Sequence, residues 1–352
     1  MTEKLRRAFR DQADACGNLG SPFMARLCTL VADHLEPNCA LTQRMFDWPG
    51  DVSASGHSVP LRLAGALHSL VLRGDPGLSA VYPPQAVDDK TLWQTIDFAI
   101  IKHARDIETT LDSAPQTNEV RRSAVLIAAG NLLAAEYGLP FVFSELGASA
   151  GLNLNWDRYG MALPGTTLGP ENPVLMLTPD WTGPLPPNAP VHVAERAGVD
   201  LNPLDLSDPA QTLRLLSYLW PDQPHRHELT TAAIAAAPPR PSRADAIDWL
   251  EPRLLNRPGH LHLIWSTIAW QYFPKAAQDR GRALIEDAGA RATTETPLAW
   301  LSYESDGQKP GAALTLRLWP GDLAIDLGRA DFHGRWVNWR GVLPLSSLTK
   351  SV

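Results

Sequence analysis

The chain has 352 residues, of which 44% are apolar and 20% charged, so it can bury one large core or two ordinary ones and is not expected to be disordered. Its formal charge of −7 argues against a nucleic-acid backbone as principal partner, because duplex binding needs a basic footprint. Three cysteines, Cys16, Cys28 and Cys39, lack C-x-x-C spacing and read as free thiols in a reducing compartment rather than as disulfides or metal ligands.

Residues 1–120 read as an all-helical region. Leu5, Phe9, Ala13 and Cys16 recur at helical spacing, and Ser21-Pro22 opens a second helix carrying Met24, Leu27, Cys28, Val31 and Leu35. Leu61, Ala64, Leu67, His68, Val71 and Leu72 form a third apolar stripe, ended by Gly74. Leu92 to Leu111 reads as a fourth helix and Val120 to Tyr137 as a fifth, stopped by Gly138 and Pro140. Asn131 and Glu136 interrupt the most apolar window, so it is expected to be amphipathic rather than a membrane span. No apolar leader precedes the first helix. A soluble cytoplasmic protein is the expectation.

After residue 140 the pattern becomes α/β, and residues 121–352 read as one Rossmann-like domain. Strands are expected at Phe141–Leu146, Val191–Val199, His260–Thr267 and Pro297–Glu304, with a weak one at Pro239–Ala244. Helices are expected at Asp208–Leu219, Arg226–Ala237, Ala246–Leu255 and Lys275–Ala288. Ala312–Trp319 and Leu323–Leu327, split by Pro320-Gly321-Asp322, predict an antiparallel hairpin. Residues 160–190 hold eight prolines, too many for a helix or a central strand. They predict an ordered surface insertion with a small hairpin, a candidate lid. Most of the twelve tryptophans are expected to fill core.

The most informative string is Phe141-Val-Phe-Ser-Glu145-Leu-Gly147-Ala148-Ser149-Ala-Gly151-Leu-Asn153, an apolar run that meets a loop of tiny residues. Few Cβ atoms stand in the way there, so the backbone can approach a ligand closely. The string fits two chemistries. Gly147-Ala-Ser149-Ala-Gly151 is a literal G-x-S-x-G, the nucleophile elbow of serine hydrolases, with Asp306 and His333 in the order a triad needs. Yet the run before it looks like the first strand of its sheet, whereas a hydrolase has several strands before the elbow. Glu-x-Gly-x-x-x-Gly resembles instead the first motif of Rossmann-like S-adenosylmethionine-dependent methyltransferases, with Ser149 at the middle glycine position.

That resemblance implies a mostly parallel Rossmann-like sheet with a C-terminal antiparallel hairpin. It implies cofactor-binding roles for Glu145, Gly147, Ala148, Ser149 and Gly151, and for Asp200 and Asn202 at the end of the second strand, where a carboxylate takes ribose hydroxyls. Asp245 and Ala246 would hold the adenine amino group, and Trp265 lies on the fourth strand. Gln271, Tyr272 and His68 are candidate catalytic residues on the substrate side. The implied cofactor is S-adenosylmethionine, the partner a small-molecule substrate, with no membrane or nucleic-acid role and no metal. A dinucleotide fingerprint, a G-K-[ST] phosphate loop and an H-E-x-x-H motif are all missing.

The chain as a whole is similar to a bacterial family of unknown function, DUF2332, on Leu63-Ala-Gly-Ala-Leu-His68, Ser144 to Gly151, Gly198-Val-Asp-Leu-Asn-Pro203, Trp220-Pro-Asp-Gln223 and Ala269-Trp-Gln-Tyr272. A methyltransferase is the leading expectation. A methyltransferase-like binding or regulatory module that no longer catalyses is the alternative, and a serine hydrolase using Ser149 comes third.

Overall fold

The computed structural model describes residues 2–342. In chain order it holds α1 (Thr2–Asn18), α2 (Pro22–His34), α3 (Ala40–Phe46), α4 (Val59–Leu72), α5 (Pro76–Ser79), α6 (Asp89–Lys102), α7 (Ala104–Leu111) and α8 (Ser123–Tyr137). Next come β1 (Phe141–Leu146), β2 (Gly160–Leu163), β3 (Thr166–Leu168), β4 (Met176–Leu177), β5 (Asp180–Thr182) and β6 (Val193–Asp200). Then follow α9 (Pro209–Ser217), α10 (Pro224–Ala235), β7 (Ser242–Arg243), α11 (Ala246–Leu250), β8 (Leu261–Thr267) and α12 (Lys275–Ala290). The described chain ends with β9 (Leu298–Glu304), β10 (Ala312–Trp319), β11 (Leu323–Ala330) and β12 (Trp336–Trp339).

These elements form two compact units. One holds the chain up to residue 117 together with 207–228; the other holds 118–206 and the chain from 229 on. In the helical unit, Ser21 caps α2 by accepting from the Met24 N–H, and Pro22 sits where no intrahelical donor is needed. Leu27, Val31, Leu63, Leu67, Leu92, Ile96 and Ile107 join one apolar core. The predicted helix from Leu92 to Leu111 breaks at His103, which leaves helical geometry and places its ring nitrogen 2.8 Å from the Asp75 carboxylate. Residues 207–228 were expected with the sheet. They complete the helical unit instead: Trp220 enters its core, Asp222 accepts from the Phe23 N–H, and Ser217 O meets His68. Chain order alone cannot reveal such a return.

The second unit is a mixed α/β structure around a nine-stranded, mostly parallel sheet in the order β5-β12-β11-β10-β9-β8-β1-β6-β7. β7, β6, β1, β8 and β9 run parallel. β10 and β11 form the expected antiparallel hairpin, and β12 extends it. From β1 the chain moves outward through β6 to β7, then returns to lay β8 on the other side. The order therefore reverses between β1 and β8, the place where open α/β sheets bind ligands beyond the carboxyl ends of their strands.

The proline-rich insertion makes the small three-stranded sheet β3-β2-β4 and then gives β5 to the edge of the main sheet, beside β12. The helix after the β1 loop is reduced to a 3₁₀ segment, Leu152–Arg158. α8 is not amphipathic as predicted, since every residue from Ser123 through Ala134 is buried. Its one buried amide, Asn131, donates to Ile127 O and accepts from the Ala189 N–H, which removes the reason to face water. No described helix is long and apolar enough to cross a membrane.

Candidate functional site

β1 is buried along its whole length because it lies between β6 and β8, which is why its sequence is a near-continuous apolar run. The chain leaves it through three left-handed residues, Gly147 (φ +73°), Ser149 (φ +52°) and Gly151 (φ +77°). Glycine suits the first and third; at Ser149 the same geometry is strained. A Cβ at Gly147 would lie 2.5 Å from Ala269 Cβ, and one at Gly151 would lie 2.5 Å from Pro239 O. Both glycines are thus already required by backbone and packing, apart from any ligand.

Every backbone N–H from 147 to 152 has a partner inside the unit. Gly147 and Ala148 donate to Val199 O, both at 2.9 Å, and Ser149 donates to Asp200 Oδ2 at 2.9 Å. Ala150 and Leu152 donate to Asn118 Oδ1 at 3.2 and 2.9 Å, and Gly151 donates to Ala148 O at 2.7 Å. A phosphate cradle needs several such donors aimed at the ligand. This loop offers none without breaking its own bonds. Asn118, only 6% exposed, had no motif to mark it in the sequence.

Asp200 ends β6 and closes the loop onto that strand. Its second oxygen accepts from the Asn202 N–H at 2.8 Å, and Asn202 itself is exposed. Each carboxylate oxygen keeps a further lone pair. Asp245 follows β7, the neighbouring strand, and the Ala244 N–H donates to Asp200 O. Asp245 is exposed and caps α11 through the Ile247 and Asp248 N–H groups at 2.9 and 3.1 Å, while Ala246 is buried in the adjoining core.

Glu145 is 1% exposed and stands in register between Gly198 on β6 and Trp265 on β8. Its Oε2 meets no hydrogen-bond partner, and neither do Ser149 Oγ and Trp265 Nε1. Burial pushes the Glu145 carboxyl up to about 8. The Trp265 indole, close by but closing no hydrogen bond, and the Arg122 charge offset part of this, and the Asp200 charge adds to it. Near neutral pH this acid is therefore largely uncharged.

The turn after β8 holds a residue the sequence did not flag. Glu304, at the end of β9, accepts from the Ala269, Trp270 and Gln271 N–H groups at 3.1, 3.1 and 3.4 Å. Burial raises its pKa, and those donors hold the shift back. The turn also carries Ile268 in the left-handed region at φ +54°. Trp270 packs on Trp300, and Gln271 Oε1 accepts from the Ser305 N–H at 2.8 Å. Of the candidates on this turn only Tyr272 stands out into solvent, 68% exposed.

His68 lies in the helical unit. It is buried, with Nδ1 3.1 Å from Ser217 O and its ring stacked on Tyr82 at 6.4 Å. Burial lowers its pKa to about 4, so it is a neutral core histidine. The triad geometry of a hydrolase is not assembled. Ser149 Oγ reaches no base, the Ala150 N–H is taken by Asn118, and Asp306 is held by Arg329 at 2.8 and 2.9 Å. Among the described residues no group of three or more His, Cys, Asp or Glu gathers in a way that could hold a metal ion.

No curated protein and no solved structure matches the chain. The family described as "Uncharacterized protein conserved in bacteria (DUF2332)" matches residues 6–339, nearly the whole chain, and the protein belongs to that family.

Proposed function

We propose that the protein is an S-adenosylmethionine-dependent methyltransferase of the Rossmann-like class acting on a small molecule. The observation that carries this reading is the hydrogen-bond pattern of the loop after β1. With its N–H groups engaged, the loop is unsuited to phosphate, which disfavours nucleotides and dinucleotides. What it offers instead is acceptors: Glu145, the remaining lone pairs of Asp200, and Asp245 on the next strand. A ligand that suits them brings donors and positive charge and no phosphate. S-adenosylmethionine has a ribose diol, an ammonium and a sulfonium, and when bound it supplies an activated methyl group.

In this reading Asp200 accepts from the ribose hydroxyls and Asp245 from the adenine amino group. Glu145 regains its charge beside the cationic amino-acid part, with Gly147, Ala148, Ser149, Gly151, Asn202, Ala246 and Trp265 completing the wall. The protein's contribution to methyl transfer is orientation and exclusion of water, so no dedicated acid or base is required. In the same reading Tyr272, exposed on the turn after β8, meets the acceptor.

The test is calorimetric titration of the full chain with S-adenosylmethionine and S-adenosylhomocysteine. Binding of both, weakened at least about tenfold by Asp200→Asn, is the expected result. Absence of binding at millimolar ligand sinks the proposal. A second reading, a binding module without turnover, is favoured by the strained Ser149 where the motif has glycine and by a loop already closed on itself. It predicts binding with no S-adenosylhomocysteine formed from any acceptor.

A further inference from the structure

The proline-rich insertion plays no part in the site just described. Together with α8 and the 3₁₀ segment it borders a cavity of about 350 Å³, within the size range of small-molecule pockets. Ile127, Asn131, Trp156 and Tyr159, all nearly inaccessible, close its floor. Pro170, Asn188 and Pro190 stand among its walls. The cavity adjoins Val191, two residues before β6, where the Phe141 N–H donates to His192 O. It therefore lies at the amino ends of β1 and β6. The Glu145–Gly151 loop leaves the carboxyl end of β1, and Tyr159 of the lining reaches toward it by donating to Leu152 O at 2.5 Å.

We propose that this cavity is a second small-molecule site, for an uncharged compound that joins an apolar ring to an amide-like donor–acceptor pair. Among the described residues of the lining Asp157 is the one acidic or basic side chain, and both its oxygens are bound by Arg196 at 2.8 and 2.9 Å. Arg196 is in turn committed to Leu154 O and Asn155 Oδ1. Among the described lining residues an anion meets no available cation, and a cation no available anion. Burying either without a partner is costly.

The polar complement is amide. Asn131 uses one donor on Ile127 O and one lone pair on the Ala189 N–H, which leaves it one of each. Asn188 adds a second amide at the mouth. Ile127, Pro170, Pro190 and Val191 supply carbon surface suited to a flat ring. The walls are also set in advance. Proline fixes φ, and the Asn131–Ala189 bond ties the insertion to a buried helix, so little ordering remains when a ligand enters.

Benzamide and its charged counterpart benzoate test this on the full chain, by saturation-transfer NMR and calorimetry. Benzamide is expected to bind in the millimolar range and benzoate at least about tenfold more weakly. Asn188→Trp, a change at an exposed position, should close the mouth and remove benzamide binding; Ala189→Trp should do the same from the wall. Because Asn188 is exposed, its variant keeps the test valid if Ala189→Trp fails to fold. S-adenosylmethionine should leave benzamide binding unchanged, since it belongs to the opposite end of the sheet. Absence of benzamide binding, equal binding of benzoate, unaltered binding to Asn188→Trp, or displacement by S-adenosylmethionine would each overturn the proposal. None of these outcomes depends on whether the protein transfers methyl groups.

Discussion

His68 in the helical unit and Glu145 in the sheet unit are both ionisable residues on apolar elements, and burial drives both to their neutral forms. The histidine falls to about 4 and the glutamate rises to about 8. They differ in how well the fold serves them. His68 has Ser217 O at 3.1 Å and a stacked Tyr82, a complete environment for a core residue. Glu145 keeps an oxygen with no partner, with the Trp265 N–H close by in the same condition. A perturbed pKa by itself therefore does not mark a site. A buried acid left unsatisfied at the point where strand order reverses is the reason the proposed site is centred on Glu145 and not on His68.

The largest effect is expected from disturbing the loop that encloses Glu145. Gly147→Val combines a left-handed φ of +73° with a Cβ 2.5 Å from Ala269 Cβ. It should cost about 3 kcal/mol or more, visible as a lower denaturation midpoint. A wild-type midpoint would mean that the loop is softer than its bonds imply.

Glu145→Gln should stabilise the protein in alkali. The folded pKa of Glu145 lies above its ordinary value, so its contribution is intact below about 4.5 and is lost as pH rises toward 8. The amide should recover up to on the order of 4 kcal/mol at pH 8 and little at pH 4.5, read from melting curves at both. If S-adenosylmethionine uses this carboxylate, the same variant should bind it poorly although it is more stable. Equal melting shifts at the two pH values would show that Glu145 is charged in the folded protein.

His68 predicts the opposite limb. Its folded pKa lies below the ordinary 6.5, so stability is full above that value and declines as pH falls toward 4. His68→Asn should flatten that acid limb by up to on the order of 3 kcal/mol, whatever its effect at neutral pH. An unchanged acid limb would show that the ring protonates without penalty.

The smallest effects come from two buried hydroxyls without partners, Ser149 Oγ in the loop and Tyr82 OH in the helical core. Ser149→Ala and Tyr82→Phe should each stay within about 1 kcal/mol of wild type, or gain slightly, because each deletes an unmatched polar atom. Ser149→Ala should also leave ligand binding intact, and fluorophosphonate probes should not label Ser149 in the wild type. Stoichiometric labelling there would restore the hydrolase reading.

The sequence by itself determined the main strands and most of the helices, because periodicity and turn residues act locally. β1 and β10 begin and end where the apolar runs and their flanking glycine and proline do. It also placed Gly147, Asp200, Asp245 and Gln271 at strand ends. Only the tertiary structure decided what those residues do. Asp245 caps α11, Asp200 and Asn118 hold the loop, and Glu304 holds the turn that presents Tyr272. Apart from the cap, these bonds join residues tens of positions apart, and no local pattern encodes them. The same reason hid the return of 207–228 to the helical unit and the burial of α8 on all sides. Both depend on which surfaces meet, and that is settled by packing rather than by the periodicity of any one segment.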